Sequence, residues 1–404
     1  MSRMLVLPNL VSLDIGLIPQ LIPYIPNLLS ATVAAFHTVL YDYEEGETSE
    51  RLSLTLIDSL PTFAPRLRVL GLSSSSFPKP FSLSKSMLRA CKSLSASLTK
   101  FTSQDCVVTM HDVLDLLSNA DSLTFLSINL SNSSIPIPHD RVCADIRVLD
   151  LRVDAIRVAA ELMEALSTKR LNSFKVVTRS NPINTIQRLG LALESSCSVT
   201  ELNEVFITWF TDRPSQPTDR QYAVSDTSLE PFLAFHRMSS FSIVHFRRLS
   251  FDLSVQFVRR LATSWPCISY LSLASNKPCG TWVSKVKLVP DLVDLISGCS
   301  QLQHLGLDVD FTCDDNMLLF RPPQSVKRSI FLPVGYAIVS KPKLLAAILS
   351  AFLPGVTIAQ SWNARKVEEA KNYNAWIEVH ECLDMMNAVR SQERAWLPVP
   401  ASLS

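Results

Sequence analysis

Glycine is scarce in this chain: nine residues in 404, where average usage would supply about 28. Phosphate-cradling loops need several glycines close together, and here the closest pair, Gly298 and Gly306, is eight apart. Neither G-x-G-x-x-G nor G-x-x-x-x-G-K-[ST] occurs, which removes the usual nucleotide-binding loops. H-E-x-x-H and G-x-S-x-G are absent as well, so zincin and α/β-hydrolase chemistry have no anchor. Charge is sparse too, at 19% of residues with a net charge of +1. Such a balance offers no general electrostatic attraction for nucleic acid or an anionic membrane. The nine cysteines contain no CxxC pair. In a chain of this length that usage suits reduced thiols in the cytoplasm or nucleus, not a disulfide frame.

Long uninterrupted apolar runs are also missing. No charged residue occurs from Ile15 to Tyr41, but Pro19, Pro23 and Pro26 break the first half of that segment. Gln20, Asn27, Ser30, Thr32 and His37 dilute it further, so a buried soluble segment is expected there and no membrane span. The opening MSRMLVLPNLVSLD is too short and too broken for a signal peptide.

What the sequence does have is a repeat of the form L-x-x-L-x-L. It occurs as Leu10-Leu13-Ile15, Leu67-Leu70-Leu72, Leu123-Leu126-Ile128, Ile146-Leu149-Leu151 and Leu171-Phe174-Val176. It returns as Leu202-Val205-Ile207, Met238-Phe241-Ile243, Ile268-Leu271-Leu273 and Leu302-Leu305-Leu307. Degraded copies, Val33-Phe36-Thr38 and Leu98-Phe101-Ser103, fill the gaps, and successive starts lie 23 to 36 residues apart. The last two apolar positions have strand spacing and point inward together, while the first enters the core from the preceding turn. One such unit cannot bury its apolar side alone, so repetition at this scale predicts stacking. Three residues beyond the last apolar position a small polar group or cysteine is expected; Ser75, Cys106, Ser131, Asp154, Asn276 and Asp310 meet this, and five copies do not.

The fold expected is therefore α/β: a leucine-rich-repeat solenoid of about eleven irregular repeats over 1–362, with short parallel strands on the concave face and helices on the convex face. MHDVLDLLSNA (110–120), AIRVAAELMEALST (155–168), FDLSVQFVRRLATSW (251–265) and PDLVDLISGC (290–299) read as wall helices. Asp112, Asp252 and Asp291 are placed to suit their N-termini. YDYEEGETSE (41–50) and TDRPSQPTDR (211–220) read as polar insertions, and 363–404 as a charged helical cap and tail.

The segments LPNLVSLDI (7–15), IPYIPNLLSATVAAF (22–36), LIDSLPTFAPRLRVLGL (56–72) and LATSWPCISYLSL (261–273) each join a helix or loop end to a proline-bearing turn and a repeat strand. In this they resemble the leucine-rich-repeat region of fungal F-box-like proteins, over nearly the whole chain. The resemblance implies an intracellular protein-binding arm that holds a substrate for a cullin-based ubiquitin ligase. In that family an N-terminal F-box docks onto the ligase adaptor. This chain opens directly on a repeat, and LVPDLVDLISGC (288–299) reads as a wall helix, so adaptor binding is expected only if an F-box lies upstream. A stand-alone scaffold, a small-GTPase regulator and an inactive truncated paralogue are the alternative expectations.

No catalytic residues, cofactor or metal are expected. The nearest grouping of metal-type ligands, Cys299, His304, Asp308 and Asp310, is not expected to converge, because Cys299 falls at a helix end and His304 on the strand face. Binding belongs instead to the outward strand positions. One column reads Asp14, His37, Gly71, Thr102, Ser127, Asp150, Lys175, Phe206, Ser242, Ser272 and Gly306. Beside it run Asn129, Arg152, Thr208 and Asp308, with Phe125, Tyr270 and His304 on the other flank. Asp150, Arg152, Lys175, Phe206, Thr208, Tyr270, His304 and Asp308 form the candidate partner-binding set, with charges to orient and aromatic rings to anchor.

Overall fold

The structure is a computed structural model that describes residues 7, 9–17, 20–40, 46–74, 81–83, 85–131, 140–179, 183–209, 222–245, 249–273, 286, 288–307, 309–313, 329–334, 339–353, 355–359 and 367–396. The chain divides into two compact units, Met1–Asp212 and Arg213–Ser404. Both are α/β, built on parallel strands that follow one another in chain order.

In the first unit the strands are β1 (Ser12–Leu17), β2 (Ala35–Leu40), β3 (Val69–Ser74), β4 (Lys100–Val108), β5 (Phe125–Leu130), β6 (Val148–Val153), β7 (Ser173–Thr178) and β8 (Glu204–Trp209). In the second they are β9 (Ser240–His245), β10 (Tyr270–Leu273), β11 (His304–Leu307), β12 (Ile330–Pro333) and β13 (Val356–Ala359). Each of the eleven repeat copies opens a strand two residues after its first apolar residue.

The change of period inside each copy has a backbone cause. In eight of the eleven copies the N–H of the first apolar residue bonds a carbonyl three residues back, closing a turn: Leu67 to Ala64 at 2.9 Å, Ile268 to Trp265 at 3.1 Å and Leu302 to Cys299 at 3.2 Å are examples. The next two N–H groups share one carbonyl of the preceding copy. Arg68 and Val69 both donate to Ala34, Arg147 and Val148 to Thr124, and Gln303 and His304 to Ser269. Only then does strand pairing begin, so the turn consumes the longer apolar interval and the strand the shorter one.

Inward positions are sealed. Phe36, Leu70, Leu126, Leu149, Phe174, Val205, Phe241, Leu271 and Leu305 are wholly buried. The two degraded copies survive because their polar residues find backbone partners. Thr38 Oγ1 donates to the Ile15 carbonyl at 2.8 Å, and Ser103 Oγ to the Cys106 carbonyl at 3.5 Å. Among the described residues β1 has a strand neighbour on one side alone, and its Leu13 and Ile15 are only half-buried.

Helices link the strands. They include α1 (Gly46–Phe63), α2 (Lys85–Leu94), α3 (Met110–Leu117), α4 (Ile156–Ala165) and α5 (Ile183–Ser196) in the first unit. The second holds α6 (Val255–Ser264), α7 (Val293–Gly298), α8 (Pro342–Phe352) and α9 (Val367–Trp396). The four segments read as wall helices are helical, with trimmed ends. Leu253, Phe257, Val258 and Leu261 form the buried face at α6, while Arg259 and Arg260 point out toward Asp291 and Glu230. Asp252 does not serve that helix: it ends a short strand, Leu249–Asp252, and Ser254 caps α6 by accepting from the Phe257 N–H at 3.1 Å. Residues 46–50, expected as loop, begin α1 instead. The insertion expected over 211–220 lies outside the described residues. In the second unit α9 packs on α8, with Arg390 Nε donating to Ser350 Oγ at 3.0 Å and Trp376 meeting Phe311 edge-on at 5.3 Å.

Among the described residues, no helix is long and apolar enough to cross a membrane. No disulfide joins any of the eight described cysteines. Burial holds the Cys91 and Cys106 thiols protonated, both pushed up to about 12, while Cys143 and Cys267 are exposed. Thiolates are the reactive species, so iodoacetamide at pH 8 should modify Cys143 and Cys267 first. Peptide mapping should find Cys91 and Cys106 alkylated only after denaturant is added.

Candidate functional site

The register of the first unit sets the outward residues side by side. Asp14, His37, Gly71, Thr102, Ser127, Asp150, Lys175 and Phe206 occupy equivalent positions on β1 to β8. Asn129, Arg152, Val177 and Thr208 form the adjoining row. In the second unit Ser242, Ser272 and Gly306 align in the same way. Within each unit these outward residues thus share positions in the register.

Five residues of the candidate set come together around one depression of about 330 Å³. Asp150, Arg152, Lys175, Phe206 and Thr208 line it, with Gln104, Val176 and Val177 completing the wall. Gln104 comes from a feature the repeat pattern does not announce. Ser103 pairs with Ile128 and Val107 with Asn129, so Gln104, Asp105 and Cys106 are extra and bulge from β4. Bulges re-aim side chains. This one carries Gln104 over β5 to β6, so that its Nε2 donates to Ser127 Oγ of β5 at 2.6 Å and to Asp150 Oδ2 of β6 at 2.7 Å. Asp105 accepts from Arg152 Nη1 at 3.0 Å.

Asp150 is the half-buried centre of this group. Burial pushes its carboxyl above the ordinary carboxylate range, since losing water disfavours the charged form. Hydrogen bonding from Ser127 and Gln104 and the charges of Lys175 and Arg152 pull the other way and only partly offset it. The Lys175 ammonium stands 5.3 Å from the centre of the Phe206 ring, a cross-strand cation–π pair. Lys100 and Phe125 make the same kind of pair at 4.5 Å on β4 and β5.

Tyr270 and His304 belong to the second unit and have their own neighbours there. Their rings stack at 4.1 Å with 14° between planes, and His304 stacks on Phe331 at 5.1 Å. Burial lowers the His304 pKa, so the neutral imidazole is favoured within the stack. Asp308 lies outside the described residues. Cys299 is wholly buried at the end of α7, whereas His304 lies in the stack on the strand face. Among the described residues, no group of three or more His, Cys, Asp and Glu side chains is placed to hold a metal ion.

Chemically, the depression offers exposed donors and apolar surface beside a half-buried carboxylate that already accepts from Gln104 and Ser127. Comparison with protein-family models gives no match. Comparison with curated proteins gives none either.

Proposed function

We propose that this chain is a leucine-rich-repeat solenoid that binds protein partners on the outward face of its strands. The carrying observation is the depression at β6 to β8, where two cations, a half-buried acid and an aromatic ring from successive repeats meet. Interfaces draw most of their energy from such Arg and aromatic anchors. The strict chain order of the parallel strands and the recurrence of one turn at most strand entries support the repeat class. The resemblance to fungal F-box-like proteins makes the substrate-recognition arm of a ubiquitin ligase, in the cytoplasm or nucleus, the specific form of this reading.

Phe206→Ala and Arg152→Ala together should abolish capture of a partner that the wild-type chain retains, a loss of at least about tenfold in affinity. Affinity purification from matched cells measures it, with circular dichroism to establish that the double variant is folded. Equal recovery of the same partner by both chains would move binding off this face. Co-purification of the ligase adaptor would support the ligase form, and its absence leaves the protein-binding reading as it stands.

A further inference from the structure

The residues lining the depression carry two cations, Arg152 and Lys175, against one acid, Asp150. Asp150 is half-buried and already accepts from Gln104 and Ser127, while Asp105, which accepts from Arg152, lies outside the lining. Among the described residues, Arg152 commits a single N–H, through Nη1, out of the five that a guanidinium carries. Among the described residues, Lys175 has no ion pair within 4 Å; its near neighbours are the Phe206 ring and the Asp150 charge. Both cations are solvent-exposed. A ligand that fits must therefore bring acceptors to these donors and apolar surface to Phe206, Val177 and the Thr208 methyl.

We infer that this depression docks an acidic side chain of a partner protein, presented beside an apolar residue in an extended segment. The carboxylate takes the unused donors of Arg152 and the Lys175 ammonium, and the apolar neighbour lies against Phe206. A volume of about 330 Å³ is at the lower end of ligand-sized pockets and suits side chains, not a folded domain. The bulge supplies the wall: by tying Gln104 to Asp150 and Asp105 to Arg152, it holds the guanidinium and stops the segment from running on over β5.

The groups facing Asp150 give the docking a pH dependence. They are Gln104 on the bulge, Ser127 on β5, Arg152 on its own strand and Lys175 on β7, with Asp105 reaching Arg152 from the bulge. The ionised Asp150 draws on both cations and repels an incoming acid. Its raised carboxyl takes up a proton at a higher pH than an exposed carboxyl does, so it is neutralised before an exposed Glu ligand is. Affinity for an acidic ligand should thus rise as pH falls through the titration of Asp150 and fall again once the ligand itself is protonated.

This inference rests on the docking role assigned above, and its test separates the two. Fluorophore-labelled acetyl-Gly-Glu-Leu-Gly-amide, and the same peptide with Gln or Lys in place of Glu, are titrated against the full chain by anisotropy. The Glu peptide should bind saturably and about tenfold more tightly than the Gln peptide. Lys175→Met, which keeps the stem over Phe206, should erase that preference. Asp150→Asn should strengthen binding at pH 7 and flatten the pH profile. Equal binding of Glu and Gln peptides, preference for the Lys peptide, or no saturable Glu binding would overturn the acidic ligand. If partner capture still depends on Phe206 and Arg152 in that event, the docking face stands and only its ligand chemistry falls.

Discussion

Trp265→Ala should cost about 3–5 kcal/mol of stability, the range for emptying a large buried aromatic site. The indole is wholly buried. Its ring lies 4.9 Å from Phe241, the inward residue of β9, and its Nε1 donates to the Phe232 carbonyl at 3.2 Å. The residue also closes the turn into β10, since its carbonyl accepts the Ile268 N–H. Alanine keeps that turn but loses the packing and the indole bond, while the Phe232 carbonyl keeps the Phe235 N–H. Trp265→Phe retains a ring against Phe241 and loses mainly the hydrogen bond, so it should cost about 0.5–1.5 kcal/mol. Urea unfolding followed by far-ultraviolet circular dichroism orders the three proteins. Equal costs for the two variants would show that the hydrogen bond, and not the ring, decides the site.

The same stretch shows why so much of the fold was legible. An apolar residue such as Ile268 at the turn, followed by Leu271 and Leu273, dictates a turn closed by the backbone and then a buried strand. Eleven copies of this logic placed eleven strands. Copies ending in Thr38 and Ser103 were legible as well, because a hydroxyl on an inward position can bond a nearby carbonyl. β12 and β13 escaped notice for a definite reason. Their alternation is intact, with Ile330 and Leu332 buried on one and Val356 and Ile358 on the other. The register puts Ser329 and Gly355 where the turn normally carries its first apolar residue.

At the candidate site, reading the outward positions was enough to bring Asp150, Arg152, Lys175, Phe206 and Thr208 together. It could not supply Gln104 and Asp105. Their roles depend on a three-residue bulge, and alternation within one strand says nothing about pairing to the next. Gln104 meets Asp150 across 46 positions of sequence, a distance over which no local pattern carries information. Asp252 failed for a related reason: an acid ahead of an apolar run suits a helix start, but pairing with Tyr222–Ser225 kept that segment as strand.

Gly71 shows what the outward face does with one of its few glycines. A Cβ at this position would sit 2.1 Å from His37 Nδ1 and 3.0 Å from Thr102 Oγ1. The requirement is one of space, since the imidazole of β2 lies over the glycine of β3. Gly71→Ala must therefore drive His37 from its place, at about 1–3 kcal/mol, the usual cost of overpacking. His37→Ala removes the obstacle, so the double variant should be more stable than the two single costs added together. A coupling of at least about 1 kcal/mol is expected from side chains in direct contact, measured by urea unfolding of all four proteins. Strictly additive costs would mean that His37 turns away freely and that glycine is not needed there. The contrast with β6 to β8 is then physical: at β3 a neighbouring ring fills the space above a missing side chain, while Arg152, Lys175 and Phe206 rise around a depression. Within the first unit, the proposed docking therefore belongs to the latter strands, set apart by side-chain relief on a backbone that repeats.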